Sequence, residues 1–380
     1  MRAVITAAYE TPYERHPDVS VGTQGLLAQA VLGVLREAGL SLHDVDGLGV
    51  SSFTIHPDHV IDVAWKLGIS PHWLMQDPLG GASGINLLQH AVRAVEAGDA
   101  SVIVLVAGDC MNKQNLRSLN ASYNRVTQEH LAPLGLGGPN PLFAMLTRRH
   151  MESTGLSEAD YAQVALAQRR WAATNPGAAY RAPLTLEDYL TARVVSPPLR
   201  IFDCVPIVSG ADAILVQADP GRTQGPRVEV TAIKAGHNPD HQVGSGLVTA
   251  LAAVRDEFWE AAGIGPQDVD LVGVYDDYPV MVIEQLVDLG FVVDADLERF
   301  LNHQLKDALL PVNTSGGQLS AGQAGAAGGM HFLVEAVNQL LHRRGDGQVK
   351  DARTAVVAGY GMVLYRYGAC SNAVSLRRVD

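Results

Sequence analysis

Leu79–Met111, LGGASGINLLQHAVRAVEAGDASVIVLVAGDCM, decides how the chain folds. It opens with a glycine-rich turn, since Gly80, Gly81 and Gly84 tolerate positive φ and close backbone approach. From Ile85, the apolar residues Leu88, Ala91, Val92 and Val95 recur at helical spacing, which predicts an amphipathic helix that Gly98 and Asp99 stop. Ser101–Val106 is then β-branched and apolar on both faces, as in a central sheet strand. The pattern returns near the other end. GAAGGMHFLVEAVNQLL (Gly325–Leu341) leads through a polar break into TAVVAGYGM (Thr354–Met362).

Working outward, the units before these two stretches also match. LREAGLSLHDVDGLGVSS (Leu35–Ser52) and FWEAAGIGPQDVDLVGVYDD (Phe258–Asp277) share a helix, a glycine stop, x-D-V-D and a glycine-containing strand, in one order. Any α/β chain alternates helix and strand, but shared D-V-D, G-A-[SA]-G and V-A-G in sequence point to a duplicated half. The halves divide at 1–224 and 225–380, with a polar, Gly/Pro-containing insertion at about 112–200, long enough for a cap or a subunit contact. Alternating helices and apolar strands predict mostly parallel sheets covered on both sides.

Composition sets bounds on function. With 380 residues, 47% hydrophobic and 18% charged, the chain buries a large core. A net charge of −12 argues against nucleic-acid binding. Cys110, Cys204 and Cys370 show neither metal-ligand nor disulfide spacing, and no metal is expected; a reducing cytoplasm suits them. No signal peptide or membrane span is visible. His56, His90, His237 and His331 show no paired spacing and read as structural or surface residues, with His331 on the predicted second central helix.

Four segments carry a resemblance to a known family. They are DPLGGASGINLLQHA (Asp77–Ala91), PLRIFDCVPIVSGADAILV (Pro198–Val216), VYDDYPVMVIEQLVDLGF (Val274–Phe291) and NTSGGQLSAGQAGAAGG (Asn313–Gly329). Together they resemble the thiolase superfamily, in particular the lipid-transfer-protein (SCP2-type) thiolases, over nearly the whole chain. The resemblance implies a duplicated, five-layered α-β-α-β-α fold with two mixed, mostly parallel sheets. It also implies a two-fold homodimer with a sheet-edge strand from the 100–107 region near the interface.

The departures from that family bear on chemistry. A thiolase nucleophile is a cysteine, because a thiolate takes an acyl group from coenzyme A at neutral pH. Here Gly81 stands at its position, Gln323 replaces the family's histidine, and the second cysteine falls on Gly359 or within one residue of it. Polar residues remain at Tyr275–Tyr278, after a predicted strand, where α/β ligand sites form. This pattern is similar to the cysteine-less steroid side-chain aldolases, which cleave a β-hydroxyacyl-CoA by retro-aldol chemistry. They pair with a DUF35-type OB-fold and zinc-ribbon protein.

That likeness implies a lyase acting with such a partner in a heterotetramer, with coenzyme A entering only as part of the substrate and no tightly bound cofactor. Tyr275 matches the subgroup's tyrosine and is the first choice as acid or base. The subgroup's second tyrosine falls at Gln323, so Asp277 and Tyr360 are candidates for the missing proton transfer. Gly80, Gly81, Ser83, Gln323, Tyr278 and Gly317 are expected to bind substrate, and an open volume is expected beside Gly81. Asp276, ahead of a helical run, is more often an N-cap than a catalyst. Two alternatives stay open: an acyltransferase with its nucleophile moved to Ser83 or Cys370, and a silent thiolase-like scaffold.

Overall fold

A computed structural model describes residues 2–380 except 19, 137, 220, 222–224, 239–243, 293–295 and 365–366. The proposed division at 224/225 touches residues outside that description. In the first half come β1 (Ala3–Glu10), α1 (Gly22–Ala38), β2 (Gly47–Ser51), α2 (Val60–Leu67), β3 (Trp73–Gln76), α3 (Ser83–Ala97) and β4 (Val102–Asp109). The insertion is largely helical: α4 (Lys113–Ser122), α5 (Pro139–Thr154), α6 (Glu158–Ala172) and α7 (Leu186–Thr191), then a ribbon of β5 (Val194–Ser196) and β6 (Leu199–Arg200). β7 (Gly210–Ala218) returns to the sheet. The second half holds β8 (Arg227–His237), α8 (Leu251–Ala262), β9 (Leu271–Val274), α9 (Pro279–Asp288) and α10 (Leu297–Arg299). It ends with α11 (Gly317–Ala321), α12 (Gly328–Leu340), β10 (Thr354–Leu364) and β11 (Tyr367–Val379). Gly98 stops α3 as its residues foretell, in a left-handed cap with φ 86° whose N–H bonds the carbonyls of Ala94 and Val95.

The described strands of the two halves form one hydrogen-bonded sheet, in the order β3-β2-β4-β7-β1-β8-β11-β10-β9. Its seam is short: β1 meets β8 only at Val4↔Glu229 and Ile5↔Val228. Outward from the seam the halves match, β1-β7-β4-β2-β3 against β8-β11-β10-β9, with a parallel bridge from Val272 of β9 to Val312 where β3 stands in the first half. This is the duplication expressed as topology.

The α/β class stands, but the sheet is mixed rather than mostly parallel, and the two expected sheets join. Among the described strands, the parallel pairs are β3–β2, β2–β4 and β9–β10. β7 runs antiparallel to β4 and β1, and β11 to β10 and β8. Apolar residues on both faces show that a strand is covered on both sides, not which way its neighbour runs. The short β10–β11 connection allows only an antiparallel pair. A second correction concerns the strand around 100–107. It is β4, interior between β2 and β7, whereas β3 forms the edge of the first half.

Side-chain alternation along the strands builds the layers. In β4, Ile103 and Leu105 point into the central core, while Val104 and Val106 point to an outer one. The central core joins Ile5, Ile214, Val374 and Leu376 of both halves to Leu88 and Val95 of α3 and Leu333 and Val337 of α12. One outer core packs α1 and α2 on the first half through Leu27, Val31 and Val63. The other packs α8 and α9 on the second half through Phe258 and Leu286, and takes in Phe143 and Val164 of the insertion. Helix, sheet, paired central helices, sheet and helix are therefore the five layers.

Candidate active site

The site is built where the first turns of the two central helices meet. A Cβ added at Gly84 would strike the Gly329 carbonyl, and one at Gly329 would approach the backbone of Gly80 and Gly81. Only glycine permits so close a backbone contact. β10 seals the same junction: side chains at Gly359 or Gly361 would collide with the backbone of the 79–82 turn. Asn372 of β11 ties it down, donating from Nδ2 to the Ala82 carbonyl at 2.9 Å. On the other flank, buried Asp109 at the end of β4 accepts from the N–H of Ala326 at 2.7 Å and of Thr54 at 2.8 Å.

Beside this junction lies a cavity of about 140 Å³. Gly80, Gly81, Gly325, Gln323, Tyr275, Asp277 and Tyr360 form its polar end. Leu116, Leu119, Tyr123 and Leu142 of the insertion form an apolar wall with Met111, Met281 and Val363. β9 ends at Val274, so Tyr275 and Asp277 project from the carboxyl end of a strand whose next neighbour, β10, runs parallel to it.

Three of these side chains bond to one another. The Tyr275 hydroxyl donates to Asp277 Oδ2 at 3.2 Å. Gln323 Nε2 donates to the Tyr275 oxygen at 2.9 Å and to Asp277 Oδ1 at 2.7 Å. Burial lifts the Asp277 carboxyl to about 7, opposed by the hydrogen bonds from Tyr275 and Gln323. Burial, then the charge of Asp277, pushes the Tyr275 phenol well above its ordinary range. Near neutrality, then, Tyr275 holds its proton while Asp277 exchanges one.

The chain is 33% identical to a 17-hydroxy-3-oxo-4-pregnene-20-carboxyl-CoA lyase of Mycobacterium tuberculosis over 337 residues, 83% of this chain and 86% of that one. It is 30% identical to a steroid side-chain-cleaving aldolase of Thermomonospora curvata, covering 89% of this chain and 90% of the relative. A family model described as Thiolase C-terminal domain-like matches residues 234–370. This chain belongs to the thiolase superfamily. The fold superposes on an Ltp2-ChsH2(DUF35) aldolase with a TM-score of 0.82 and 26% identity, covering 98% of this chain and 97% of that one.

In this thiolase-superfamily chain the nucleophile position is closed. A Cβ at Gly81 would run into the Tyr275 ring and the Tyr360 carbonyl, so the volume expected to lie open beside Gly81 is filled by Tyr275. Ser83 is buried away from the cavity wall and donates to Asp77 Oδ1 at 2.6 Å. Burial, then nearby carboxylates, pushes the thiols of Cys370 and Cys204 up to about 12, which disfavours the thiolate at neutral pH.

Other expected site residues also lie outside the wall. Tyr278 stacks on Phe143 at 4.6 Å, and its hydroxyl reaches Asn140 Oδ1 at 2.6 Å. Gly317, at φ 59°, packs where a side chain would strike the Asp276 carboxylate. Asp276 is a cap, as its sequence setting suggests, but of α11 rather than of the α9 helix that follows it: its Oδ1 accepts the Gln318 N–H at 3.0 Å. Tyr360 lines the cavity while its hydroxyl accepts the Gly368 N–H at 2.7 Å, which holds it to the β10–β11 hairpin.

His331 reaches no part of the cavity wall. Its Nδ1 sits 3.0 Å from Glu10 Oε2, and its Nε2 2.7 Å from Ser315 Oγ. Burial opposes its charge, but Glu10 and Asp212 outweigh that and lift it to about 9. Sequence reasoning missed Phe53, Tyr123 and the α4 leucines, which lie in segments without a motif.

Proposed function

We propose that this protein is a carbon–carbon lyase that cleaves a bulky, apolar β-hydroxyacyl-CoA, such as a steroid side-chain CoA ester, by a retro-aldol step. One observation carries the reading: the Tyr275 ring stands where a thiolase would hold its nucleophile, and Tyr275 lines the cavity together with the Asp277 and Gln323 that its hydroxyl bonds. A retro-aldol step needs no acyl-enzyme. It needs a group to take the β-hydroxyl proton, donors for the thioester enolate, and a proton for the α-carbon afterwards. Tyr275 faces the first and third tasks. Gly80 and Gly81 are the part of the glycine turn at the cavity, and their backbone suits the thioester oxygen. The apolar wall from α4 and α5 suits a hydrocarbon acyl group. Tyr360, held by the hairpin, shapes the cavity. Coenzyme A enters with the substrate, and no other cofactor is called for.

The partner is a DUF35-type OB-fold and zinc-ribbon protein, and the assembly a homodimer of this chain within a heterotetramer. Likeness to the DUF35-containing aldolase supports the DUF35-type partner.

The test incubates the chain, with and without such a partner, with a bulky β-hydroxyacyl-CoA. Mass spectrometry should find a carbonyl product and a shortened acyl-CoA, and no mass added to the protein. Tyr275→Phe keeps the ring and removes the hydroxyl, and turnover should fall by about 10²–10⁴-fold, the usual worth of a positioned proton transfer. An acylated protein would favour the acyltransferase instead. Failure to cleave with any partner would leave a scaffold.

A further inference from the structure

We propose that Asp277 is the proton acceptor behind Tyr275 in the cleavage step, and that Gln323 is the positioning residue that holds the two in line. This rests on the lyase reading above. The geometry fixes the direction of transfer. The two amide hydrogens of Gln323 supply the Tyr275 oxygen and Asp277 Oδ1, at 2.9 and 2.7 Å. With that contact made, the phenol proton has Asp277 Oδ2 as its acceptor at 3.2 Å. Tyr275 cannot serve alone as a base, because its phenol holds its proton far above neutral pH.

The step then balances. Tyr275 passes its proton to the Asp277 carboxylate as its oxygen takes the proton of the substrate β-hydroxyl. The Cα–Cβ bond breaks, its electron pair forming the thioester enolate, and Cβ becomes a carbonyl carbon. After that product leaves, Tyr275 gives its proton to Cα and recovers one from the Asp277 carboxylic acid. No oxidant, reductant or further reactant is consumed.

The titratable groups that act on Asp277 from its surroundings are Tyr123 of the insertion, Cys204, Tyr275 and Tyr278. Burial raises all four, so they stay neutral near pH 7 and leave Asp277 to titrate there. Asp276, also lifted to about 7 by burial, faces α11 instead.

The experiment measures kcat against pH for the chain with its partner and a β-hydroxyacyl-CoA. Wild type should lose activity below a midpoint near pH 7, set by Asp277. Asp277→Asn should lower kcat by about 10²–10³-fold and abolish that limb. Asp277→Glu and Asp276→Asn should both keep it. Gln323→Leu should move the limb to higher pH, because Asp277 loses a hydrogen bond that favours its charged form.

A folded Asp277→Asn within about threefold of wild type, with its limb intact, overturns the proposal. If that variant fails to fold by circular dichroism, an unmoved limb in Gln323→Leu overturns it equally. Cleavage by wild type without an acid limb sinks this role for Asp277 and leaves the lyase reading standing. No cleavage with any partner sinks both.

Discussion

At Gly81 the absence of a side chain is as consequential as any group present. Gly81→Ala should lower stability by about 1–3 kcal/mol, the usual cost of overpacking, and should displace the Tyr275 ring. A urea midpoint and a turnover number would check both; an unchanged pair would mean the ring has room to move. Gly81→Cys with Tyr275→Ala restores the space, yet acyl transfer should not return, since Gln323 cannot exchange protons as a histidine does. A second residue carries a pH signature. Glu284 of α9 is buried with both carboxylate oxygens unpartnered, and burial, then Asp288, holds its carboxyl well above the ordinary value. The folded chain therefore keeps a proton that the unfolded chain releases above its ordinary pKa. Stability should fall as pH rises from there, and level off only once the folded group ionises too. Thermal melts across pH should show this slope flattened in Glu284→Gln. The sequence placed Tyr275, Asp277, Gln323, Gly81 and Tyr360 in one site because each falls in or beside a motif-bearing segment, although Tyr360 lies within strand β10 and not on a loop. It gave no sign of the Gln323–Asp277 bond, which depends on side-chain geometry across 46 residues of chain.

The short helix α11 shows how an element can steer a site it never touches. Asp276 caps it, and Gln318 Nε2 returns a bond of 3.2 Å to the same carboxylate. The chain beyond α11 reaches Gln323, whose N–H bonds the Pro206 carbonyl at 2.9 Å. Asp276→Ala leaves these donors without a buried acceptor and should cost about 1–3 kcal/mol. Turnover should change far less than in Asp277→Asn, so that a melting curve and a rate separate the two adjacent aspartates. An Asp276→Ala rate as low as that of Asp277→Asn would count against a purely structural cap. Helix α3, with its clean apolar stripe, was legible in sequence to within two residues. β3 was not, because its four partly buried residues, Trp73–Gln76, offer too short a run to read. Strand direction was illegible for a different reason: with both faces covered by helices, parallel and antiparallel strands bury the same kind of residue.

The duplication was legible in the whole molecule because D-V-D and the glycine turns recur in order, whereas the joining of the halves at two residue pairs leaves no pattern in either strand. Neither half owns the cavity: Gly81, Leu116 and Leu142 line it from the first, Tyr275, Gln323 and Tyr360 from the second. α12 packs on β1, β4 and β7 as well as on its own strands, and buries Met330, Leu333, Val337 and Leu340 completely. Exposing even two of these four would cost roughly 3–6 kcal/mol, a large part of the ~5–15 kcal/mol that holds a domain together. Fragments 1–218 and 227–380 should therefore each fail to melt cooperatively alone and regain turnover on mixing. A fragment that melts cooperatively by itself would contradict this. The two-residue seam and shared inner layer also bear on how the chain is born. On the ribosome, the first half must wait with one flank of α3 bare while the second is made, roughly 10–30 s at ~5–20 residues per second. Asn372, which pins the Ala82 carbonyl, lies in β11, which emerges after every other described strand. A nascent chain stalled before β11 should thus be captured by chaperones and catalytically dead, and activity should appear only after release.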